Sequence, residues 1–217
     1  MRRFLRLYQD RIMMPEHFLR DGDRAGGADE RPRWQGVPTW SLPQDLWVLQ
    51  ELIEETRPEL LVETGTRYGG TALFFAGLFD LIGAGSVVSV DVEQWPAAPR
   101  VREHPRIELL EGSSTSPEIV ARVRELAAGK RVMVNLDSEH SAEHVLAELD
   151  AYAPLVSSGC YLVVDDTVLG RGFPPLGGWR GPGHALEQWL PSHPEFEVDA
   201  GRERLGTFSP GGFLRRR

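Results

Sequence analysis

The chain has 217 residues, of which 41% are hydrophobic and 26% are charged, and its formal net charge is −8 at pH 7. These values are typical of one globular domain with a substantial core, and the acidic balance argues against a nucleic-acid-binding face. No apolar run approaches the roughly 20 residues of a membrane span, and the N-terminus lacks the continuous apolar segment of a signal peptide. The single cysteine, Cys160, cannot form an internal disulfide. We therefore expect a cytoplasmic protein with neither a nucleic-acid nor a membrane partner.

Residues 1–40 differ in composition from the rest of the chain. They contain many arginines, a stretch rich in Gly and Asp, and the two tryptophans Trp34 and Trp40. We interpret this segment as an arm or lid with a short helix near residues 4–18 and a flexible linker. It would cover the substrate or support homo-oligomerisation, and packing of the tryptophans on the body is the alternative. Residues 41–217 would form the main domain.

From Ser41 onward, helical and strand-like patterns alternate along the chain. A helix beginning at Pro43, with the Ser41 hydroxyl as its cap, is predicted to end before Pro58. The other predicted elements are strands at 60–64, 86–92, 107–110, 132–136 and 160–164, helices at 70–82, 116–129, 141–152 and 182–190, and two final strands at 195–199 and 204–209. Such alternation predicts an α/β fold with a doubly wound, mostly parallel sheet. A closing antiparallel hairpin is typical of Rossmann-like class I methyltransferases.

Three carboxylates and a histidine follow two consecutive apolar strands. Asp137 and His140 come after the first of these strands, and Asp165 and Asp166 end the second. The helical pattern at 141–152 is long enough for a right-handed crossover, so the two strands are expected to be parallel. Ligands of open α/β sheets bind at the carboxyl ends of strands, and three hard oxygen donors there suggest Mg²⁺ or Mn²⁺. Ordinary solvated acids are the alternative.

His140 is the candidate catalytic residue of this cluster. An imidazole beside a metal can take a proton from a substrate hydroxyl near neutral pH, and the metal would lower the pKa of that hydroxyl. A surface cap at the start of the following helix is the alternative. His144 lies one turn further along, and a His-x-x-x-His pair can bind zinc. Because the neighbouring ligands are oxygen atoms, we interpret His144 as structural.

A glycine-rich turn follows the first strand of the predicted sheet. The segment Leu61-Val-Glu63-Thr-Gly65-Thr-Arg-Tyr-Gly69-Gly70 lets the backbone approach a ligand, and an acid at the strand end can receive a cationic group. The spacing is neither G-x-G-x-x-G nor a P-loop, which weakens a phosphate-binding role. A cofactor that carries an amino acid, such as S-adenosyl-L-methionine, fits better, with Glu63 near its ammonium group. A structural tight turn is the alternative.

Two further strand ends contribute to the predicted cofactor site. Asp91 lies where nucleoside-binding sheets place an acid on the ribose hydroxyls, and Gly112-Ser113 could line the adenine. An ordinary strand-terminating Asp and a simple turn are the alternatives. The predicted cofactor-binding residues are Glu63, Gly65, Thr66, Gly69, Gly70, Asp91, Gly112, Ser113 and Asp137.

Several motifs occur in the order found in a known family. They are Trp34-Gln-Gly-Val-Pro, Asp45-Leu-Trp-Val-Leu-Gln-Glu, Glu63-Thr-Gly-Thr-x-x-Gly-Gly, Leu136-Asp-Ser-x-His140-Ser-x-x-His144-Val, Tyr152-Ala-Pro-Leu-Val-Ser and the terminal Ser-Pro-Gly-Gly-Phe-Leu-Arg. Over residues 34–215 the chain resembles the cephalosporin hydroxylase family. This family includes rhamnosyl-type sugar O-methyltransferases and is related to macrolide-sugar O-methyltransferases.

The resemblance implies a class I S-adenosylmethionine fold and a Mg²⁺ site. In it, Asp137, Asp165 and Asp166 would hold the metal and His140 would be the base. Relatives commonly carry Glu-Asp where this chain has Asp165-Asp166, so the first of these side chains is shorter here. The loop at 170–183 has no transferable pattern, which leaves the acceptor substrate open.

The implied function is Mg²⁺-dependent O-methylation of a hydroxyl, on a sugar in the simplest case, of a small secondary metabolite in natural-product biosynthesis. One alternative is a component of an oxidative tailoring system of the cephalosporin C7 type. The sequence contains no evident iron triad of two histidines and one carboxylate, which argues against it. The other alternative is a non-catalytic partner that only binds S-adenosylmethionine.

Overall fold

The computed structural model describes residues 32–94, 97–169 and 180–217. The predicted helix at 4–18 lies outside the described residues, as do the linker after it and most of the loop that precedes Pro182. The strands are β1 (Arg33–Trp34), β2 (Val37–Pro38), β3 (Leu60–Thr64), β4 (Ser86–Asp91), β5 (Ile107–Glu111), β6 (Val132–Leu136), β7 (Tyr161–Val164), β8 (Phe196–Val198) and β9 (Phe213–Arg216). The helices are α1 (Pro43–Thr56), α2 (Gly70–Ile82), α3 (Pro99–Arg102), α4 (Pro117–Ala127), α5 (Ala142–Tyr152) and α6 (Pro182–Trp189).

A seven-stranded mixed sheet has the order β5-β4-β3-β6-β7-β9-β8. The strands from β5 to β7 are parallel to one another, and β9 pairs antiparallel with both β7 and β8. One buried cluster joins the sheet to α4, α5 and α6, and a second joins its other face to α1, α2 and α3. The predicted doubly wound, mostly parallel sheet with an antiparallel C-terminal hairpin is confirmed.

The second strand of the closing hairpin is not where the sequence pattern suggested. Residues Ala200–Leu205 form a 3₁₀ helix, and the partner strand is β9. The Asp199 side chain accepts a hydrogen bond from the Gly201 N–H at 3.2 Å, which turns the chain away from an extended conformation. Gly212 then allows β9 to begin beside β7, because a β-carbon at this position would overlap the Val164 carbonyl.

The predicted helix starts at Ser116-Pro117 and at Ser141 are correct, and the predicted cap of α1 is wrong. Ser141 caps α5 as expected, since its Oγ accepts from the His144 N–H at 3.3 Å. The prediction that Ser41 caps α1 is wrong. The cap position is Leu42, which makes no side-chain hydrogen bond, and Pro43 is the first residue of the helix. The Ser41 hydroxyl instead lies 3.4 Å from Thr71 Oγ1 of α2.

The described part of the N-terminal segment packs on the main domain. Strands β1 and β2 form a small antiparallel ribbon. The Trp34 ring meets Phe74 of α2 edge to face, with the ring centroids 5.0 Å apart. Among the described residues, no helix has the length and apolar character needed to cross a bilayer.

Candidate active site

A cavity of about 660 Å³ opens at the carboxyl ends of the parallel strands. This is the edge at which α/β sheets bind ligands. The residues that line it are Trp40, Gly65, Arg67, Tyr68, Val90, Asp91, Val92, Glu93, Gly112, Ser113, Ser114, Asp137, Ser138, Glu139, His140, His144 and Asp166.

Two carboxylates and an imidazole converge on one point of this cavity. Asp137, His140 and Asp166 each present a ligand atom within 4.8 Å of the others. His140 Nε2 lies 3.2 Å from Asp166 Oδ2, and each of these two side chains is 30% exposed. The group is therefore accessible from the cavity, and its oxygen-rich donor set suits Mg²⁺ or Mn²⁺.

The electrostatics of this point favour a cation. Burial, and then repulsion from Asp165 and Asp166, raise the pKa of Asp137 well above its usual range. Burial, and then repulsion from Asp45, raise the pKa of Asp166 to about 7. Carboxylates in this situation are costly to ionise together, and a divalent cation would offset that cost.

The His140 imidazole is favoured in its neutral form. Burial lowers its pKa below the ordinary value, and the nearby Asp165 and Glu148 carboxylates only partly oppose this effect. A neutral imidazole at pH 7 can accept a proton, which is the property that the sequence analysis required of the base.

Asp165 differs from the other two aspartates in its surroundings. It is buried, its Oδ2 accepts a hydrogen bond from Asn135 Nδ2 at 2.9 Å, and its Oδ1 accepts one from Ser209 Oγ at 3.1 Å. Burial, and then repulsion from Asp166, raise its pKa to about 6. It lies outside the group formed by Asp137, His140 and Asp166.

A second polar network supports the loop that carries Asp137 and His140. Ser138 Oγ donates to Glu148 Oε1 of α5 at 2.7 Å, and Glu148 is fully buried. His144 Nε2 lies 3.0 Å from Ser114 Oγ, and the Tyr152 hydroxyl donates to the Ser114 carbonyl at 2.7 Å. The sequence analysis missed Ser138 and Glu148. The position of Glu148 on the apolar face of α5 could have indicated that this glutamate is buried and needs a polar partner.

Five of the nine predicted cofactor residues line the cavity: Gly65, Asp91, Gly112, Ser113 and Asp137. Gly65 has φ +94°, and a β-carbon there would overlap the carbonyl oxygen of Asp137. The glycine turn after β3 and the loop after β6 therefore touch through bare backbone. Asp91 Oδ2 accepts from the Arg67 N–H at 2.8 Å, which fixes the same turn from the other side.

The other four predicted cofactor residues are not among those that line the cavity. Glu63 is buried and accepts a hydrogen bond from Ser89 Oγ, which lies 2.7 Å from Thr66 Oγ1. Burial is the main cause that raises the pKa of Glu63 to about 8. Gly69 and Gly70 make room for Val101 and for the Pro38 carbonyl.

The sequence analysis did not predict that Trp40 and Arg67 form one wall of the cavity together. The Arg67 guanidinium stacks on the Trp40 ring, 3.7 Å from its centroid, and both side chains line the cavity. Trp40 therefore packs on the main domain and also borders the site. Trp40 belongs to the N-terminal segment and Arg67 to the glycine turn. Because these segments are far apart in the sequence, the sequence alone does not suggest the contact.

A mostly parallel seven-stranded sheet that ends in an antiparallel hairpin, with a cavity at its carboxyl edge, defines the class I methyltransferase fold. A solved structure named "cmcI-D160 Mg-SAM" has a TM-score of 0.70 with 18% identity, over 94% of this chain and 84% of that one. A putative caffeoyl-CoA O-methyltransferase from Staphylococcus aureus has a TM-score of 0.58 with 15% identity, over 90% of each chain.

The family follows from the sequence comparisons. The model of the rhamnosyl O-methyltransferase/CmcI family matches residues 28–217. The rhamnosyl O-methyltransferase of Mycobacterium tuberculosis is 40% identical over 83% of this chain and 76% of its own length. That of Mycobacterium leprae is 39% identical over 85% and 82%, respectively. The chain belongs to this family, which confirms both the resemblance and the assignment to the S-adenosylmethionine-dependent O-methyltransferases.

Proposed function

We propose that this protein is a Mg²⁺-dependent O-methyltransferase that methylates a sugar hydroxyl of a small glycosylated or hydroxylated metabolite. The observation that carries the proposal is the convergence of Asp137, His140 and Asp166 within 4.8 Å of one another, in a cavity that Asp91 and Ser113 also line. The names of the mycobacterial relatives support a rhamnose-type acceptor. The solved CmcI structure with Mg and SAM in its name supports the pairing of Mg²⁺ with S-adenosylmethionine in this fold.

The residues present fit both groups. The carboxylates of Asp137 and Asp166 are the hard donors that Mg²⁺ prefers, and their raised pKa values favour a cation. Gly65, Asp91 and Ser113 line the part of the cavity that would receive S-adenosylmethionine. When bound, S-adenosylmethionine supplies the methyl group, and Mg²⁺ supplies positive charge that lowers the pKa of the acceptor hydroxyl.

The chain itself provides proton transfer and orientation. The neutral His140 imidazole takes the proton of the acceptor hydroxyl and holds it at Nε2. Asp166 Oδ2, 3.2 Å from this nitrogen, stabilises the positive charge that then develops on the ring. Ser138 and Glu148 hold the loop between Asp137 and His140, which keeps the base beside the acceptor.

The direct test measures cofactor binding and turnover together. The protein is titrated with Mg²⁺ and S-adenosylhomocysteine, and transfer from labelled S-adenosylmethionine to a panel of rhamnosides is then followed with and without EDTA. Methylation of a sugar hydroxyl that EDTA abolishes would support the proposal. Turnover unaffected by EDTA would contradict the metal role, and methylation confined to non-sugar hydroxyls would contradict the acceptor class.

The oxidative alternative finds no support in the acidic group. An iron triad has two histidines and one carboxylate, whereas Asp137, His140 and Asp166 are two carboxylates and one histidine. Oxygen uptake coupled to product formation would reverse this conclusion. Cofactor binding without turnover on any glycosylated acceptor would instead favour a non-catalytic role.

For residues 1–40 we propose a cover over the cavity, since Trp40 borders it. We also retain homo-oligomerisation as part of the proposal. Light scattering during size-exclusion chromatography tests the second point, and a monomeric mass would contradict it.

A further inference from the structure

We propose that His144 is a positioning residue that joins two loops of the active site. One is the loop after β5, which includes the predicted cofactor residues Gly112 and Ser113, and the other is the loop after β6, which carries Asp137 and His140. The inference deepens the proposed function and rests on it. It gives His144 no chemical step, only the task of holding the two loops in a fixed relation.

Nε2 of the His144 ring faces the loop after β5. It lies 3.0 Å from Ser114 Oγ and 3.6 Å from Glu148 Oε1. Ser114 directly follows Ser113, lines the cavity, and is only 5% exposed. Because the serine hydroxyl is within hydrogen-bonding distance of the imidazole, the position of this wall of the cavity depends on a side chain of α5.

The same ring is linked to the loop after β6 by two routes. Ser138 Oγ donates at 2.7 Å to Glu148 Oε1, the oxygen that His144 Nε2 faces. On the other side of the ring, Nδ1 lies 3.6 Å from Oε2 of Glu139, whose side chain is 64% exposed. Exposed ion pairs contribute little, so the main link to this loop is the route through the buried glutamate.

Glu148 needs a counter-charge, and His144 supplies it. Glu148 is fully buried, and its second oxygen, Oε2, has no hydrogen-bond partner among the described residues. The interaction with Glu148 is the main cause that raises the pKa of His144 above its ordinary value, although burial opposes the shift. Removing one partner of a buried ion pair is costly, so the carboxylate holds the ring in its place between the loops.

Helix α5 fixes this arrangement at two further points. The Tyr152 hydroxyl donates to the Ser114 carbonyl at 2.7 Å, and Ser141 Oγ accepts from the His144 N–H at 3.3 Å. The ring therefore projects from a capped helix that also holds the backbone of the loop after β5. Hydrogen bonds of this kind keep the groups that touch a ligand in their productive geometry.

The test is a calorimetric titration of the full chain with S-adenosylhomocysteine. It compares His144→Asn with His144→Gln. The amide nitrogen of glutamine reaches the place of Nε2 and keeps a donor for Ser114, whereas that of asparagine reaches only the place of Nδ1. Ser114→Ala and its combination with His144→Asn complete a double-mutant cycle. Ser114→Ala leaves His144 beside Glu148, so it tests the contact even where the asparagine variant fails to fold in thermal melts.

His193→Asn is the matched control. His193 is also a half-buried histidine, and its Nδ1 lies 2.8 Å from the carbonyl oxygen of Trp189. It is not among the described residues that line the cavity. The control therefore removes a comparable imidazole contact away from the cavity.

We expect His144→Asn and Ser114→Ala each to weaken binding of S-adenosylhomocysteine roughly 3- to 10-fold, the equivalent of one hydrogen bond. The double variant should bind no more weakly than the weaker single variant, because both changes break the same contact. His144→Gln and His193→Asn should bind as tightly as the wild type.

The rate of methyl transfer tests the link to the loop after β6. Single-turnover transfer is followed at saturating S-adenosylmethionine and Mg²⁺, with a rhamnoside that the wild type methylates. Saturation removes the effect of weakened cofactor binding. His144→Asn should still be roughly 10-fold slower than the wild type, because the loop of the base loses a support, and His144→Gln should recover most of the rate.

Four results would overturn the inference. Unchanged binding in both His144→Asn and Ser114→Ala would show that the contact does not support the cofactor site. Multiplicative losses in the double variant would show that Ser114 acts independently of His144. Equal losses in His144→Gln and His144→Asn would remove the role of Nε2. A wild-type rate in His144→Asn at saturation would remove the link to the base.

Failure of the proposed function is distinguishable from these results. It would appear as a wild type that binds no S-adenosylhomocysteine or methylates no rhamnoside. Any of the four results in variants of a wild type that binds and methylates would contradict only the role of His144.

Discussion

His140 Nε2 lies 3.2 Å from Asp166 Oδ2, although the two residues follow different strands. His140 belongs to the loop after β6, and Asp166 to the turn after β7. The parallel pairing of these strands brings both loops to one edge of the sheet. A candidate proton acceptor and a candidate metal-binding carboxylate are thereby neighbours, which is the arrangement that the following predictions test.

Replacement of His140 by alanine should lower the methyl-transfer rate by about 10²- to 10⁴-fold, the usual contribution of a positioned general base. Mg²⁺ affinity should change much less, because Asp137 and Asp166 remain. Single-turnover transfer from labelled S-adenosylmethionine measures the rate, and calorimetry measures the affinity. Glu143→Gln, an exposed change on the helix that follows His140, is the control. An unchanged rate in His140→Ala would rule out its role as base.

Mg²⁺ affinity should rise as the pH increases from 6 to 8. Because burial and then Asp45 raise the pKa of Asp166 to about 7, this carboxyl is largely protonated at pH 6 and a cation must displace the proton. Binding should therefore release protons. Calorimetry in buffers of different ionisation enthalpy detects this release, and a binding enthalpy that is the same in all buffers would contradict the prediction.

Replacement of Glu63 by glutamine should stabilise the metal-free protein at alkaline pH. Burial raises the pKa of Glu63 to about 8, whereas the unfolded chain ionises near 4.3. Both states are protonated below the unfolded value, so no difference exists there. As the pH rises towards 8, only the unfolded state ionises freely and folding stability is lost.

The glutamine keeps an oxygen for Ser89 and cannot ionise, so it avoids this loss. The difference in Tm between Glu63→Gln and the wild type should be small at pH 5 and largest at pH 8. Thermal melts in the presence of EDTA measure it. A difference that is independent of pH would show that Glu63 ionises normally in the folded protein.

Replacement of Gly65 by alanine should abolish binding of S-adenosylhomocysteine and destabilise the fold. The added methyl would overlap the carbonyl oxygen of Asp137, and the backbone has φ +94°. Gly129→Ala is a matched control, because Gly129 also has a positive φ, +74°, but its β-carbon would meet nothing within 4 Å. The control should be destabilised only by the conformational cost of a positive φ, about 1–2 kcal/mol.

Calorimetric titration and thermal melts of both variants provide the comparison. If Gly65→Ala bound S-adenosylhomocysteine as tightly as Gly129→Ala does, the contact between the glycine turn and the Asp137 loop would not be needed for cofactor binding.

Much of the fold could be predicted because its determinants are local. Most of the parallel strands are apolar runs followed by a predicted helix, and Ser141 before α5 is one start signal that could be recognised. The short helix α3 between β4 and β5 was not predicted. The order of these units places Asp137 and Asp166 at one sheet edge without any knowledge of distant contacts. The glycine turn at Gly65 was recognisable for the same reason.

The rest depends on contacts between residues far apart in the chain. Nothing in the local pattern shows that Ser209 donates to Asp165, or that the Phe208 N–H meets Asp45 across 163 positions. The last strand was misplaced because the run at 204–209 alternates like a strand, whereas the side-chain contacts of Asp199 turn the chain there. Adjacent aspartates look equivalent in sequence, and only the structure shows that Asp165 accepts hydrogen bonds from Asn135 and Ser209 whereas Asp166 lines the cavity.

The position of β9 between β7 and β8 also determines when the site can form during synthesis. Strand β8 leaves the ribosome before β9 but has no place in the sheet until β9 has inserted beside β7. Ser209, 43 positions after Asp166, emerges only just ahead of β9. A nascent chain therefore carries its acidic residues for some time without the Ser209 hydroxyl, which can contact Asp165 and the Asp166 N–H only after most of the domain has been translated.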